Sequence, residues 1–230
     1  MKTRFLVLLA FLFSLPALAQ DCGDFKVKAG TGFELLSYNA RDKMNGRLVY
    51  TFKNIRREGG STVMDVVMNT FDEKGKGTGE YTLHYLCNGN EIIADLSPMV
   101  QQNNPAMKNM EMKMKVNELA YPTRFTVGQK LKDGRLEAEM FNNGSKMMDM
   151  NLLMANRQVE SRESLTIPAG TYNAFKLNSD MNIENRTMGI PIKMTMKTVS
   201  YRVEDVLFDL KTETYRNGKL IGYTVLNKIL

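Results

Sequence analysis

Along much of the chain, apolar and polar residues alternate over short windows, which is the period of a strand with one buried face. In Leu48-Val49-Tyr50-Thr51-Phe52-Lys53-Asn54-Ile55, the side chains of Leu48, Tyr50 and Phe52 fall on one side. Residues 61–69 are β-branched and apolar, and Tyr81, Leu83 and Tyr85 oppose Thr82, His84 and Leu86. Later, Met112, Met114 and Val116 oppose Glu111, Lys113 and Lys115, and Met194, Met196 and Thr198 oppose Lys193, Thr195 and Lys197. Turn signals separate these runs at Gly59-Gly60, Asn88-Gly89-Asn90, Lys132-Asp133-Gly134, Asn143-Gly144 and Asn217-Gly218. The pattern predicts a mainly β fold: one curved antiparallel sheet, or a barrel or half-barrel, built from many short strands.

One stretch interrupts the alternation. In residues 95–110, Ser97 followed by Pro98 is a helix-start signal and Pro105 a stop, which predicts one or two short helical turns between strands. Three hairpins share a chemistry of aromatic, charged glycine turn, then aromatic-threonine; they end at Tyr50-Thr51, Tyr81-Thr82 and Tyr223-Thr224. Facing aromatics across such a hairpin stabilise pairing by up to about 1 kcal/mol.

The N-terminus changes the picture. Met1-Lys2-Thr3-Arg4 is basic, residues 5–15 are apolar, Pro16 breaks the run, and Ala17-Leu18-Ala19 offers a small-x-small cleavage site. These are the parts of a secretory signal, and the apolar run is too short to span a bilayer. The expectation is removal of residues 1–19 and a single β domain over 20–230, exported to the periplasm or secreted. Asp21 stands directly before Cys22 where lipidation requires a small residue, so the mature protein is expected to be soluble, with neither a lipid anchor nor a membrane span. Loss of Lys2 and Arg4 lowers the net charge from +6 to +4. That charge is spread along the chain without interleaved aromatics, which argues against a nucleic-acid partner. Cys22 and Cys87 are the only cysteines, and an even count in an exported chain predicts a disulfide.

The search for catalytic chemistry is largely negative. His84 is the single histidine and lies mid-strand; it has no second histidine or cysteine pair to complete a zinc site, and no Gly-x-Ser-x-Gly elbow is present. Gly75-Lys76-Gly77-Thr78-Gly79 lacks phosphate-loop spacing and precedes a strand, so it is a hairpin turn. No cofactor or metal is expected. Methionine is the unusual feature: 18 residues against no tryptophan. Flexible, polarisable methionines suit an adaptable apolar surface. Met107, Met110, Met112, Met114, Met194 and Met196 are the candidate lining of a hydrophobic-ligand site. An ordinary methionine-containing core is the alternative.

Several segments resemble the TapB-like family of exported bacterial proteins of unknown function. They are Gly32-Phe33-Glu34-Leu35-Leu36-Ser37-Tyr38, Gly46-Arg47-Leu48-Val49-Tyr50, Tyr85-Leu86-Cys87-Asn88-Gly89, Thr166-Ile167-Pro168-Ala169-Gly170-Thr171-Tyr172, and the ending through Gly222-Tyr223. The resemblance implies an architecture similar to LolA/LolB-type half-barrels, which hold lipid against a curved sheet. It carries no catalytic residue. The expected function is therefore non-enzymatic: binding a lipid or another apolar small molecule on the concave face. The alternatives are an envelope module that docks another protein, or a hydrolase built around His84.

Overall fold

The structure, a computed structural model, describes residues 22, 28–95, 110–187 and 189–230. The expected signal at 1–19 and the expected helical turns after Ser97 lie outside the described residues. Thirteen strands follow one another: β1 (Gly32–Asn39), β2 (Met44–Glu58), β3 (Ser61–Asp72), β4 (Gly77–Cys87), β5 (Glu91–Asp95), β6 (Met110–Asn117), β7 (Ala120–Pro122), β8 (Gly134–Asn142), β9 (Ser145–Ile167), β10 (Gly170–Thr187), β11 (Ile190–Arg202), β12 (Lys211–Arg216) and β13 (Lys219–Ile229). No helix occurs among the described residues. The mainly β, antiparallel expectation is met.

Most turns form where the sequence places them; Lys132-Asp133-Gly134 is an exception, since Gly134 already begins β8. Asn143 and Gly144 (φ 47° and 76°) close the β8–β9 hairpin, and Asn217 and Gly218 (φ 52° and 73°) close β12–β13. Two successive positive φ values make the turn whose twist matches paired strands, and Asn-Gly adopts it at least cost. The glycine stretch at 75–79 is a hairpin turn as well: the Asp72 carboxylate accepts the backbone N–H groups of Lys74 and Lys76, each at 2.9 Å.

All thirteen strands belong to one sheet, ordered β6-β8-β9-β10-β11-β12-β13-β1-β2-β3-β4-β5-β7. Its two edge strands, β6 and β7, are neighbours in sequence, joined by Glu118 and Leu119. Laid flat, the edges of thirteen strands would be roughly 58 Å apart. The three-residue step from Asn117 to Ala120 reaches at most about 11 Å. The sheet must therefore curl until its edges meet, although the ladder stays open between them. Asn117 of β6 fastens the seam by donating its amide N–H to the Ala94 carbonyl of β5 at 2.6 Å.

The curl creates an interior. Phe52, Met64, Val66, Leu210 and Leu226 are almost fully buried there, and Cys22 is bonded to Cys87 at the same core. The connection 203–210 between β11 and β12 dips inward and contributes Val206, Leu207, Phe208 and Leu210. The Phe208 ring meets Tyr50 at 4.1 Å and Phe33 at 5.4 Å between centroids.

One buried carboxylate, Glu34 of β1, ties the sheet's middle together. It accepts hydrogen bonds from Arg47 at 2.9 Å and Asn227 at 2.6 Å. Burial alone raises its pKa, but those bonds and the nearby Lys228 outweigh it and hold the carboxyl below the usual range. The native state thus binds this proton less readily than the unfolded chain. The stabilisation is complete at neutral pH and is lost as pH falls through the ordinary carboxylate range to the lowered native value. Glu34→Gln is expected to cost about 1.5–2 kcal/mol at pH 7 and less at pH 3. Urea midpoints at the two pH values check this, and an equal loss at both would refute it.

Candidate functional site

The strand register puts the methionines in order. Directly paired residues point to the same side of a sheet. Met112, Met140 and Met148 form one transverse row across β6, β8 and β9, and Met114, Ala138 and Met150 form the next. Leu136, Leu152, Ile183 and Met194 continue across β8 to β11, followed by Met154, Met181 and Met196. The opposite side is polar: Lys113, Glu139, Asp149 and Arg186 share a row, as do Glu137, Asn151, Glu184 and Lys193. Met140 and Met196 are buried and the other methionines of the face are half-buried, while Ile190 and Ile192 at its tip are 67 % and 62 % exposed. This arm is a largely apolar face, interrupted on β10 by Asn185 and Thr187, and backed by charge.

The apolar face runs into the interior across a polar band. The next pair along β10 and β11 is Ser179 and Thr198, both buried. On β9, Asn156 adopts φ 52°, and Asn156 and Arg157 together occupy the span opposite Ser179. This extra residue is a bulge, which re-aims the side chain that follows. Arg157 accordingly turns inward and is 3 % exposed. Its guanidinium lies over the Tyr121 ring at 4.6 Å, and Arg202 of β11 lies over the same ring at 4.2 Å. Such stacking is worth about 2 kcal/mol when desolvated.

The two arginines differ in their partners. Arg202 pairs with Asp209 at 2.6 Å and donates to the Leu207 carbonyl at 2.7 Å. Asp209 also accepts the hydroxyls of Ser200 at 2.9 Å and Thr212 at 2.6 Å. Arg157 donates to the Lys132 carbonyl at 2.8 Å, and its Nη2 makes no hydrogen bond. Burial pushes the Arg157 pKa down. Burial also pushes the Tyr50 hydroxyl up to about 12, with Asp209 adding to the shift, and raises Tyr85 and Tyr121. These tyrosines stay neutral at physiological pH.

Two openings flank the stack. A cavity of about 250 Å³ lies among Leu35, Leu48, Tyr50, Tyr85, Tyr121 and Phe208, with Arg202 and Asp209 at its polar side. Its volume is below the roughly 300–1,000 Å³ of ordinary small-molecule sites. A cleft of about 480 Å³ lies beyond the seam, with Arg157 and Asn117 in its lining.

The DUF3108-like family matches residues 28–226. The chain belongs to that family. No curated protein matches it. Two solved structures resemble this DUF3108-like chain. One is a protein of Bacteroides fragilis with a YmcC-like fold, described as exported by inference. It is 19 % identical with a TM-score of 0.67, over 90 % of this chain and 98 % of that one. The other, described by inference as a lipoprotein, comes from Parabacteroides distasonis. It is 16 % identical with a TM-score of 0.68, over 91 % of this chain and all of that one. At these identities the likeness shows the fold.

The expected site residues of the DUF3108-like chain fall as follows. Cys22 and Cys87 are joined. Met112 and Met114 lie on β6, and Met194 and Met196 on β11, on one face but roughly 19 Å apart across the sheet. Met110 begins β6, and Met107 lies outside the described residues. The 250 Å³ cavity is lined by no methionine. His84 faces outward, 42 % exposed, with Nδ1 2.7 Å from Asp65, whose other oxygen pairs with Arg56. Among the described residues no group of three His, Cys, Asp or Glu side chains is placed to hold a metal. Sequence reasoning missed Arg157, Arg202 and Tyr121. The one available signal was Asn156, a residue type tolerant of positive φ, directly before an arginine.

Proposed function

We propose that this chain is a non-enzymatic exported protein that holds a lipid or similar apolar ligand along the inner face of its curled sheet. One observation carries this reading: the register assembles nine methionines from β6, β8, β9, β10 and β11 on one face, with charges confined to the other. Unbranched thioether side chains adapt to varied apolar shapes at little cost. The interior cavity alone is too small for a whole lipid, so the methionine face supplies most of the contact.

Export is supported by the signal-like start and by the disulfide, a bond characteristic of oxidising compartments. The resemblance to TapB-like exported proteins and the descriptions of the two structural neighbours agree with it. A soluble form is favoured over an anchored one on chemical grounds. The Cys22 sulfur is committed to Cys87, and a lipid-bearing cysteine would need that same sulfur for its thioether. A second reading, docking of another envelope protein, is favoured by the exposure of Ile190 and Ile192 at the tip of the apolar face.

Native mass spectrometry of the protein purified from its own envelope tests ligand binding. Apolar adducts are expected, and Met150→Glu with Met194→Glu should remove them while leaving the fold intact. Each charge forfeits about 1.5–3 kcal/mol of apolar burial by the ligand and side chain together. A preparation consistently free of adducts sinks the ligand reading and leaves docking.

A further inference from the structure

The lining of the 480 Å³ cleft contains two unsatisfied groups that point to a headgroup. Arg157 is deeply buried, and among the described residues no carboxylate approaches its guanidinium to ion-pair distance; Asp133 acts on it only at longer range. Its Nη2 is a donor without an acceptor. Asn117 Oδ1, in the lining of the same 480 Å³ cleft, is a buried acceptor without a donor. Buried polar atoms are nearly always bonded, and each one left unmade costs about 1–3 kcal/mol, more when charged. Arg202 in the same stack differs in having a counter-ion, Asp209, although its own Nε makes no hydrogen bond among the described residues.

The rest of the cleft does not supply a counter-ion. Its rim carries Lys130 and Lys132 against Glu91, Glu118 and Asp133, with Lys132 and Glu91 3.5 Å apart. Lys132, Glu118 and Asp133 are exposed. The floor is a guanidinium with no carboxylate partner among the described residues, a planar fork suited to two oxygens of one oxyacid group.

We infer that this cleft binds the anionic oxyacid head of an amphiphile, a phosphate or carboxylate. The Arg157 fork takes its oxygens and Asn117 Oδ1 takes a head-group O–H. The inference rests on the apolar-ligand reading for the tail, which would run over Met154 and Met181, three residues along β9 from Arg157 and across the pair to β10. The cation itself is independent of that reading.

Calorimetric titration of the mature protein with dodecyl phosphate, 1-dodecanol and inorganic phosphate separates the parts. Dodecyl phosphate is expected to bind at least tenfold more tightly than dodecanol, and inorganic phosphate more weakly than either. Arg157→Met keeps the stem against Tyr121 and should bring the two amphiphiles within about twofold. Asn117→Asp, near-isosteric, sets a carboxylate in the lining of Arg157's own cleft and should remove the preference without weakening dodecanol. Equal binding of both amphiphiles by the wild type, or a preference that survives in both variants, overturns the headgroup and leaves the apolar face standing. Binding of phosphate and dodecyl phosphate alike, with none of dodecanol, upholds the anion site and overturns the apolar reading. Failure of all three probes overturns both.

Discussion

Removing the Cys22–Cys87 bridge is expected to lower stability by about 4 kcal/mol, the loop-closure value for the 65 residues it spans. For a domain of this size that corresponds to a fall of roughly 8–16 °C in melting temperature. The bridge sits where such a loss is felt. Cys87 ends β4 and is 1 % exposed, Cys22 is 7 % exposed, and both belong to the core that holds Phe33, Phe52 and Met64. Their Cα atoms lie 5.7 Å apart, within the ordinary range for a bridge. Without it, Cys22 is tied to the sheet only through the backbone that leads to β1. Calorimetry of the wild type with and without reductant, and of a Cys22→Ala, Cys87→Ala double variant, measures the effect. A shift of only a degree or two in both would mean that apolar packing alone seats Cys22. The same preparation reports on anchoring: an intact mass two hydrogen atoms below the reduced value, with no acyl addition, is expected of a bridged, unlipidated chain.

The strands and hairpins were legible because they depend on local rules. Leu48, Tyr50 and Phe52 alternate in sequence, and the structure buries Phe52 completely. Asn143-Gly144 and Asn217-Gly218 name their turns by the one backbone conformation that Asn-Gly favours. The candidate site was half legible. Alternation showed that Met112 and Met114 share a side, and likewise Met194 and Met196. It could not show that β8, β9 and β10 stand between them and carry Met140, Met148, Met150, Met154 and Met181 on the same face, because register is a long-range property. Arg157 and Arg202 were invisible for another reason. A charged residue in an alternating strand is normally solvated, and only the bulge at Asn156 and the seam that delivers Tyr121 turn these two inward. The connection 203–210 has no periodicity to announce that it fills the interior.

Phe208→Ala is expected to cost 4–5 kcal/mol, the upper part of the range for a buried phenylalanine, about 3–5 kcal/mol. The position in that range depends on whether the surroundings collapse into the space left by the ring. Here the segment is pinned on both sides of Phe208. Arg202 holds the Leu207 carbonyl at 2.7 Å and the Asp209 carboxylate at 2.6 Å. The Leu210 N–H donates to Tyr201 at 2.8 Å, and the Leu210 carbonyl accepts from Leu226 at 2.8 Å. The ring's neighbours, Phe33, Tyr50, Phe52 and Tyr85, come from strands locked in the sheet. The vacated volume therefore joins the existing 250 Å³ cavity that Phe208 lines, and cavity cost rises by about 24 cal/mol per Å³ left unfilled. The argument is tested by a cycle with Arg202→Met, read as urea midpoints. Once the pin is cut, the segment is free to settle inward, so Phe208→Ala should cost at least 1 kcal/mol less in that background. Strict additivity would show that the sheet, and not the Arg202–Asp209 pin, keeps the space open.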